Sequence, residues 1–301
     1  MAPKGRSTNE IELSARDVLE EIGKKIKDKT EKGNNYDGKL KGTLSNAKFA
    51  DRLYKESNRG LGVRPGPSHF SQLYYKKHTN NTKYYKDDRH PCHGRQGKRF
   101  DEGQKFECGN DKIIGNSDKY GSCAPPRRRH ICDQNLEFLD NDHTDDTDDL
   151  LGNVLVTAKY EGESIIDNLP NSETSNICTV LARTFADIGD IVRGRDMFKS
   201  NEDVEKGLQV VFGKINNGLK KIGINDYNDE NGNYYKLRED WWIANRDQVW
   251  KAITCKAPRD AHYFVYKQGN YSNFSNPKCG HEESRVLTNL DYVPQYLRWF
   301  D

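Results

Sequence analysis

Seven cysteines, at Cys92, Cys108, Cys123, Cys132, Cys178, Cys255 and Cys279, constrain the folds open to this chain more than any other feature. Only 34% of its 301 residues are hydrophobic and 31% are charged, against roughly 45–50% apolar content in an average globular chain. A core that small leaves much conformational entropy to be opposed by other means, and disulfides are the means this composition offers. Disulfides require an oxidising compartment. The odd count leaves one sulfur over. No run of about 20 apolar residues occurs, so this stretch contains no membrane-spanning helix. The N-terminal residues also lack the apolar region of a secretory signal. Disulfides without a signal peptide are a conflict that composition alone does not resolve.

Hydrophobic spacing divides the chain into four parts. Residues 1–60 read as an arm. Ser14 caps a helix with Asp17 three residues on, Val18, Leu19, Ile22 and Ile26 form a narrow apolar stripe, and a shorter helix is expected around Leu44, Phe49, Leu53 and Tyr54. Residues 61–135 follow the breakers Gly60, Gly62, Pro65, Gly66 and Pro67 and show no sustained periodicity. They hold four cysteines, which allow three connectivities. The nested pair Cys92–Cys132 and Cys108–Cys123 is favoured, although spacing leaves the others open. Residues 136–291 carry four helical patterns: Leu151 to Leu169, Cys178 to Val192, Val204 to Ile222, and Leu237 to Ile253. The class is therefore mainly α. Cys178 opens the second pattern and Cys255 follows the fourth, so a Cys178–Cys255 bond is expected. Cys279 would then pair beyond residue 301. Residues 292–301 look like the start of a further helix, with Pro294 in its first turn and Tyr296, Leu297, Trp299 and Phe300 left uncovered.

The net charge of +2 conceals two opposed blocks. Residues 76–132 carry fourteen Lys or Arg against seven acids, while 133–149 carry eight acids and no Lys or Arg. The blocks either neutralise each other or leave a basic face for an anionic partner. The stiff run Cys123-Ala-Pro-Pro-Arg-Arg-Arg-His-Ile-Cys132 is expected to pair internally with the acidic block rather than to clasp an anion. Arg193 and Arg195 are expected on acids such as Asp187 and Asp190.

Catalytic and metal patterns fail one by one. There is no CxxC or HxxxH for zinc, and His281-Glu282-Glu283 lacks the second histidine of HExxH. Two stretches imitate a calcium loop, but Asp145 stands where glycine is needed and Arg238 where the closing glutamate belongs. A phosphate loop and GxSxG are absent. No catalytic residue, metal site or cofactor is expected. Binding remains. The basic candidates are Lys24, Lys25, Lys27, Lys29 and Lys32 in the arm, and Lys76, Lys77, Lys83, Lys86, Arg89, Arg95, Lys98 and Arg99 in the irregular part. Among the latter stand the aromatic faces of Tyr84 and Tyr85. Sulfated glycan and nucleic acid suit these residues equally well. The oxidising compartment selects the glycan and sets nucleic acid aside.

Five motifs then carry a resemblance: Pro91-Cys-His-Gly-Arg95, the Cys123–Cys132 run, Phe185-Ala-Asp-Ile-Gly-Asp-Ile-Val-Arg-Gly-Arg-Asp196, Trp241-Trp-Ile-Ala-Asn-Arg-Asp-Gln-Val-Trp-Lys-Ala-Ile-Thr-Cys255, and Tyr292-Val-Pro-Gln-Tyr-Leu-Arg-Trp-Phe300. In order and spacing they resemble the N-terminal segment and Duffy-binding-like alpha domain of the Plasmodium falciparum erythrocyte membrane protein variant antigens. The resemblance implies a Duffy-binding-like fold of three subdomains, the third almost entirely missing here. It also implies an adhesin on infected red cells, exported without a cleaved signal and anchored by a membrane segment far downstream, which would resolve the conflict above. The partners implied are host red-cell glycans such as heparan sulfate or blood-group sugars, heparin-like polysaccharides, or glycoprotein receptors such as complement receptor one, engaged in rosetting. No contact residue carries over, because the shared motifs are scaffold. The alternative is a structural, antigenically variable head whose neighbouring domain holds the receptor. The sequons at Asn80, Asn270 and Asn273 are read as loop composition.

Overall fold

The computed structural model describes residues 14–31, 37–51, 62–83, 89–95, 97–101, 103–170, 176–199, 202–267 and 271–299. Helix α1, Ala15–Thr30, begins with a complete capping box: the Ser14 side chain accepts from the Asp17 amide, and Asp17 accepts from the Ser14 amide. The acidic residue at the positive end of the helix dipole adds to that start. The region around Leu44 and Phe49 is not a helix. Leu44–Asn46 is a single 3-10 turn, and Lys48–Asp51 is strand β1, paired antiparallel with β2, Gly62–Pro65, in the register Lys48 to Pro65 and Asp51 to Gly62. Leu53 and Tyr54 lie outside the described residues. Leu44 and Phe49 are five residues apart, so one helical face would not hold both. Extended backbone instead lets Phe49 enter the core, where its ring occupies the space beside Gly152.

Four long helices follow: α2 (Thr147–Asn168), α3 (Ile177–Arg193), α4 (Glu202–Lys221) and α5 (Tyr235–Ile253). They lie where the 3.6-residue periodicity predicts helices. Asp146 caps α2 by accepting from the Asp148 and Asp149 amides. Gly194 ends α3 in the left-handed conformation, φ 69°, which a residue with a Cβ adopts at a cost. Trp241, Trp242 and Trp250 of α5 are fully buried, with the Phe185 ring of α3 against Trp242 and Trp250. Gly162 of α2 abuts the Ile253 backbone and Gly189 of α3 the Trp242 ring, so missing side chains set how closely these helices approach. A second antiparallel pair, Phe264–Lys267 with Tyr271–Phe274, lies between α5 and the last residues.

The acidic block divides its work: Asp133 and Glu137 hold Arg95 and Asp145 holds Lys214 at 2.8 Å, while the residues at the start of α2 serve backbone. Asp148 accepts from the Thr43 amide and Asp149 from the Lys48 and Asp145 amides, while Asn245 of α5 bonds Gly42 and the Leu40 carbonyl. These groups belong to a segment with little secondary structure, whose amides would otherwise be unpaired. Asn80 acts in the same way. Its side chain is fully buried, accepts from the Ala50 amide and donates to the Lys48 and His143 carbonyls. That sequon is therefore interior.

The disulfides are Cys92–Cys132, Cys108–Cys123 and Cys178–Cys279. The expected Cys178–Cys255 bond is not formed; Cys255 is the free thiol, and Cys279 has its partner within the chain. Opening one helix and following another does not bring two cysteines together. The segment after α5 folds back, the Cys279 amide donates to the Ala261 carbonyl, and the Cα atoms of Cys178 and Cys279 come to 5.4 Å, a normal bridging separation. Burial pushes the Cys255 thiol up.

The last described residues are likewise covered. A one-turn helix, Gln295–Arg298, follows Pro294, and Trp299 is buried with Ile113, Ala124 and Phe198. Arg298 pairs with Asp190 and, at 3.1 Å, with Asp187 of α3. Tyr296 is exposed, as expected of the uncovered set, but Trp299 is not. Phe300 lies outside the described residues.

Candidate functional site

The basic candidates separate into interior arginines and surface lysines. Arg99 is buried on Glu161, with one bond at 2.8 Å, and donates to the His130 carbonyl; Glu161 also accepts from the Cys132 amide. Arg89 is 1% exposed and donates to the Lys83 and Asn81 carbonyls. Arg95 pairs with Asp133 and Glu137 and donates to the Ile131 carbonyl at 2.6 Å. Burial disfavours its charge, but those two carboxylates hold its pKa above the usual range. These three residues are thus not surface contacts, contrary to the sequence expectation. Irregular backbone pulled across α2 by Cys92–Cys132 leaves carbonyls that no ladder satisfies, and a guanidinium bonds several at once.

The Arg127–Arg129 run also turns inward, but away from the acidic block. Arg127 donates to the Arg298 carbonyl and stands 3.5 Å from Asp187. Arg128 grips Asp196, with one bond at 2.9 Å, and Arg129 bonds the Lys105 carbonyl and Glu107. Arg193 pairs with Asp190, as expected, whereas Arg195 goes to Glu239.

Lys24, Lys25 and Lys29 are exposed on α1, and Lys77 and Lys98 on the irregular layer. Lys27 is half-buried beside Glu31. Lys76 stands over the Tyr75 ring, and Lys83 lies 3.9 Å from the Phe138 ring centre and bonds Gln134. Lys32, Lys86, Tyr84 and Tyr85 lie outside the described residues. The two lysine groups have different supports. The irregular layer is built on the edge-to-face rings of Tyr75, His90 and Tyr160, the last a residue of α2.

Helix α1 is held by residues that the charge pattern did not single out. The Glu20 carboxylate accepts from the Tyr263 hydroxyl, the Thr288 hydroxyl at 2.7 Å and the Asn289 amide at 2.7 Å. Burial raises its pKa, and those three donors only partly offset the effect. Gly23, three residues on, lies against the Asn289 carbonyl, where a Cβ would be inside van der Waals contact. A glycine within an amphipathic helix, spaced i+3 from a carboxylate, is the signal that could have marked this docking face. Gly23→Ala should therefore release α1, with a local loss of about 1–3 kcal/mol. Amide exchange across 16–30 would quicken by roughly 10- to 100-fold, while α5 keeps its protection. Unchanged exchange in α1 would contradict this docking contact.

With that geometry in place, comparison with known proteins is informative. The Duffy binding domain profile matches residues 121–298, more than half the chain. The chain belongs to the Duffy binding domain family. A second profile, the N-terminal segments of PfEMP1, matches residues 14–48, which include α1. The chain is similar to the solved NTS-DBL1-alpha and CIDR-gamma double domain of PfEMP1 from the Plasmodium falciparum varO strain. The two are 52% identical, with TM-score 0.88, over 96% of this chain and 43% of that one. The varO NTS-DBL1 domain alone is 48% identical, with TM-score 0.76, over 95% of this chain and 60% of that one. An ICAM-1-binding DBLbeta domain of PfEMP1 is 26% identical, with TM-score 0.69, over 96% and 62% of the two chains. Among curated proteins, the Duffy receptor beta form of Plasmodium knowlesi is 26% identical over 207 residues, 64% of this chain and 15% of the receptor. This Duffy binding domain thus spans less than two thirds of each of these relatives. Among its described residues, no helix is long and apolar enough to cross a membrane.

Proposed function

We propose that this domain is an adhesion module displayed on the infected red cell, which binds host red-cell receptors. Anionic glycans such as heparan sulfate are the class its surface lysines suit. Membership of the Duffy binding domain family supports adhesion in general, and the ICAM-1 binding of a DBLbeta relative supports host-receptor recognition. The observation that carries the glycan reading is the placement of Lys24, Lys25 and Lys29. They are exposed on a helix that is locked to the body through Glu20 and Gly23, Lys25 and Lys29 away from that contact and Lys24 at its edge. A docked helix presents its charges at little further entropic cost on binding.

The test is retention on a heparin column. Replacing Lys24, Lys25 and Lys29 together by Glu should shift elution to clearly lower salt and flatten the salt dependence, since each lost ion pair removes released counterions. Unchanged elution would remove α1 from the site. Glu21 and Asp28 are also exposed on this helix and dilute its charge. That observation favours a second reading, in which a neighbouring domain holds the receptor and this one is a variable head. Red-cell binding by the isolated domain would count against it.

A further inference from the structure

A cleft of about 340 Å³ opens between two walls. One wall is formed by the Ile114 and Asp196–Lys199 loops, joined where the Ile114 amide donates to the Met197 carbonyl; the other is the start of α4 with Asn233 and Tyr235. The volume falls at the small end of ligand sites, which run roughly 300–1,000 Å³. Buried Ile191, Phe198 and Val204 give it an apolar lining. Its charged side chains are engaged within the protein: Arg128 with Asp196, Asp133 with Arg95, and Glu205 with Arg238 through bonds of 2.7 and 2.8 Å, while Lys199 donates to the Asn110 carbonyl. A phosphate or other ion entering here would give up hydration without finding an uncompensated partner.

The neutral polar groups are held in one orientation. Arg238 fixes Glu205, and Glu205 accepts from the Gln209 side chain at 3.1 Å. A carboxylate only accepts, so the group that Gln209 turns toward it is the amide nitrogen. That nitrogen also donates to the Asn233 side-chain carbonyl at 3.1 Å. Among the described residues, no hydrogen bond uses the Gln209 side-chain oxygen or the Asn233 side-chain nitrogen, which leaves an acceptor and a donor side by side at the cleft. Tyr234 stands between Asn233 and Tyr235 in the left-handed conformation, φ 55°, which a bulky residue adopts at a cost, and its amide is held by Asp229 at 2.7 Å. That turn sets Asn233 and Tyr235 on the same cleft, where Tyr235 is 50% exposed and Ile114, on the facing wall, 52% exposed. An adjacent acceptor and donor is the pattern with which a carboxamide pairs the amino group and ring nitrogen of adenine, and an exposed aromatic face is a platform on which a base stacks.

We propose that this cleft binds a free purine base that carries an exocyclic amino group. The Gln209 carbonyl would accept from that amino group, the Asn233 amide nitrogen would donate to the neighbouring ring nitrogen, and Tyr235 would stack on the ring. The site is separate from the lysines of α1 and does not rest on the adhesion reading. Titration calorimetry of the intact chain with adenine, unsubstituted purine and AMP, at 0.15 and 0.5 M NaCl, tests it. Adenine is expected to bind with an affinity that salt leaves unchanged. Purine, which lacks the amino donor, should bind about tenfold or more weakly, and AMP no more tightly than adenine. Tyr235→Ala and Gln209→Ala should each weaken adenine binding about tenfold or more, and Tyr235→Phe by less. The urea midpoint of each variant reports that it remains folded. No adenine binding, equal binding of purine and adenine, AMP binding that is tighter and lost at 0.5 M salt, or undiminished adenine binding in a folded Tyr235→Ala chain would overturn the proposal. The triple lysine reversal should leave adenine binding intact, so failure of the α1 reading and failure of this one give different results.

Discussion

A Cys279→Ser variant is expected to lose about 4–5 kcal/mol of stability, and Cys255→Ser less than about 1 kcal/mol. The Cys178–Cys279 bond joins residues 101 apart, and closing a loop of that length stabilises by about 4.7 kcal/mol in the chain-entropy account. Total stability for such a chain is roughly 5–15 kcal/mol, so loss of this bridge approaches global unfolding. Cys178→Ser should match Cys279→Ser, and the double variant should be no worse than either, because all three remove the same cross-link. Cys255 makes no bridge and is only half-buried, so Ser replaces it with little disturbance. Urea unfolding under non-reducing conditions, with a peptide map of the disulfides, is the measurement. A Cys255→Ser variant as unstable as Cys279→Ser would reverse this pairing.

The helices were legible because periodicity is a local property, and Leu208, Val211, Ile215 and Leu219 of α4 fall on one buried face by spacing alone. The third disulfide was not, because it depends on how the segment after α5 returns to α3. The candidate site was legible in part, and its errors share a cause. Arg89, Arg95 and Arg99 were grouped with Lys77 and Lys98 by charge, yet the arginines are turned inward and the lysines are exposed. The side-chain type held the distinction. A planar guanidinium with five donors suits a crowd of unpaired carbonyls and carboxylates, whereas an ammonium is strongly hydrated and stays in water. Arginines in a cysteine-flanked, irregular stretch are therefore better read as internal struts.

The resemblance could be specific for fold while silent on receptor, and a second variant should show why. Asp291 is 1% exposed and accepts from Nε and Nη2 of the Arg246 guanidinium, at 2.8 and 2.7 Å, and from the Trp242 indole at 2.8 Å; its carbonyl accepts from Arg193. Burial works against the Arg246 charge, and Asp291 more than restores it. Asp291→Ala would strand that guanidinium in the core, at an expected cost of about 3–5 kcal/mol. Replacing both partners by apolar residues, Asp291→Leu with Arg246→Met, should cost clearly less, because no charge is then left unpaired. Urea unfolding of the single and double variants separates these outcomes, and a single variant within about 1 kcal/mol of the parent would refute the strut. Trp242, Arg246, Asp190, Arg193 and Arg298 all lie in the motifs that carried the resemblance, and all are buried. Such residues are fixed by the demands of a charged interior, whatever the surface binds. Exposed residues such as Lys24, Lys25 and Lys29 on α1 are under no such constraint, so a surface can change while the buried motifs stay as they are.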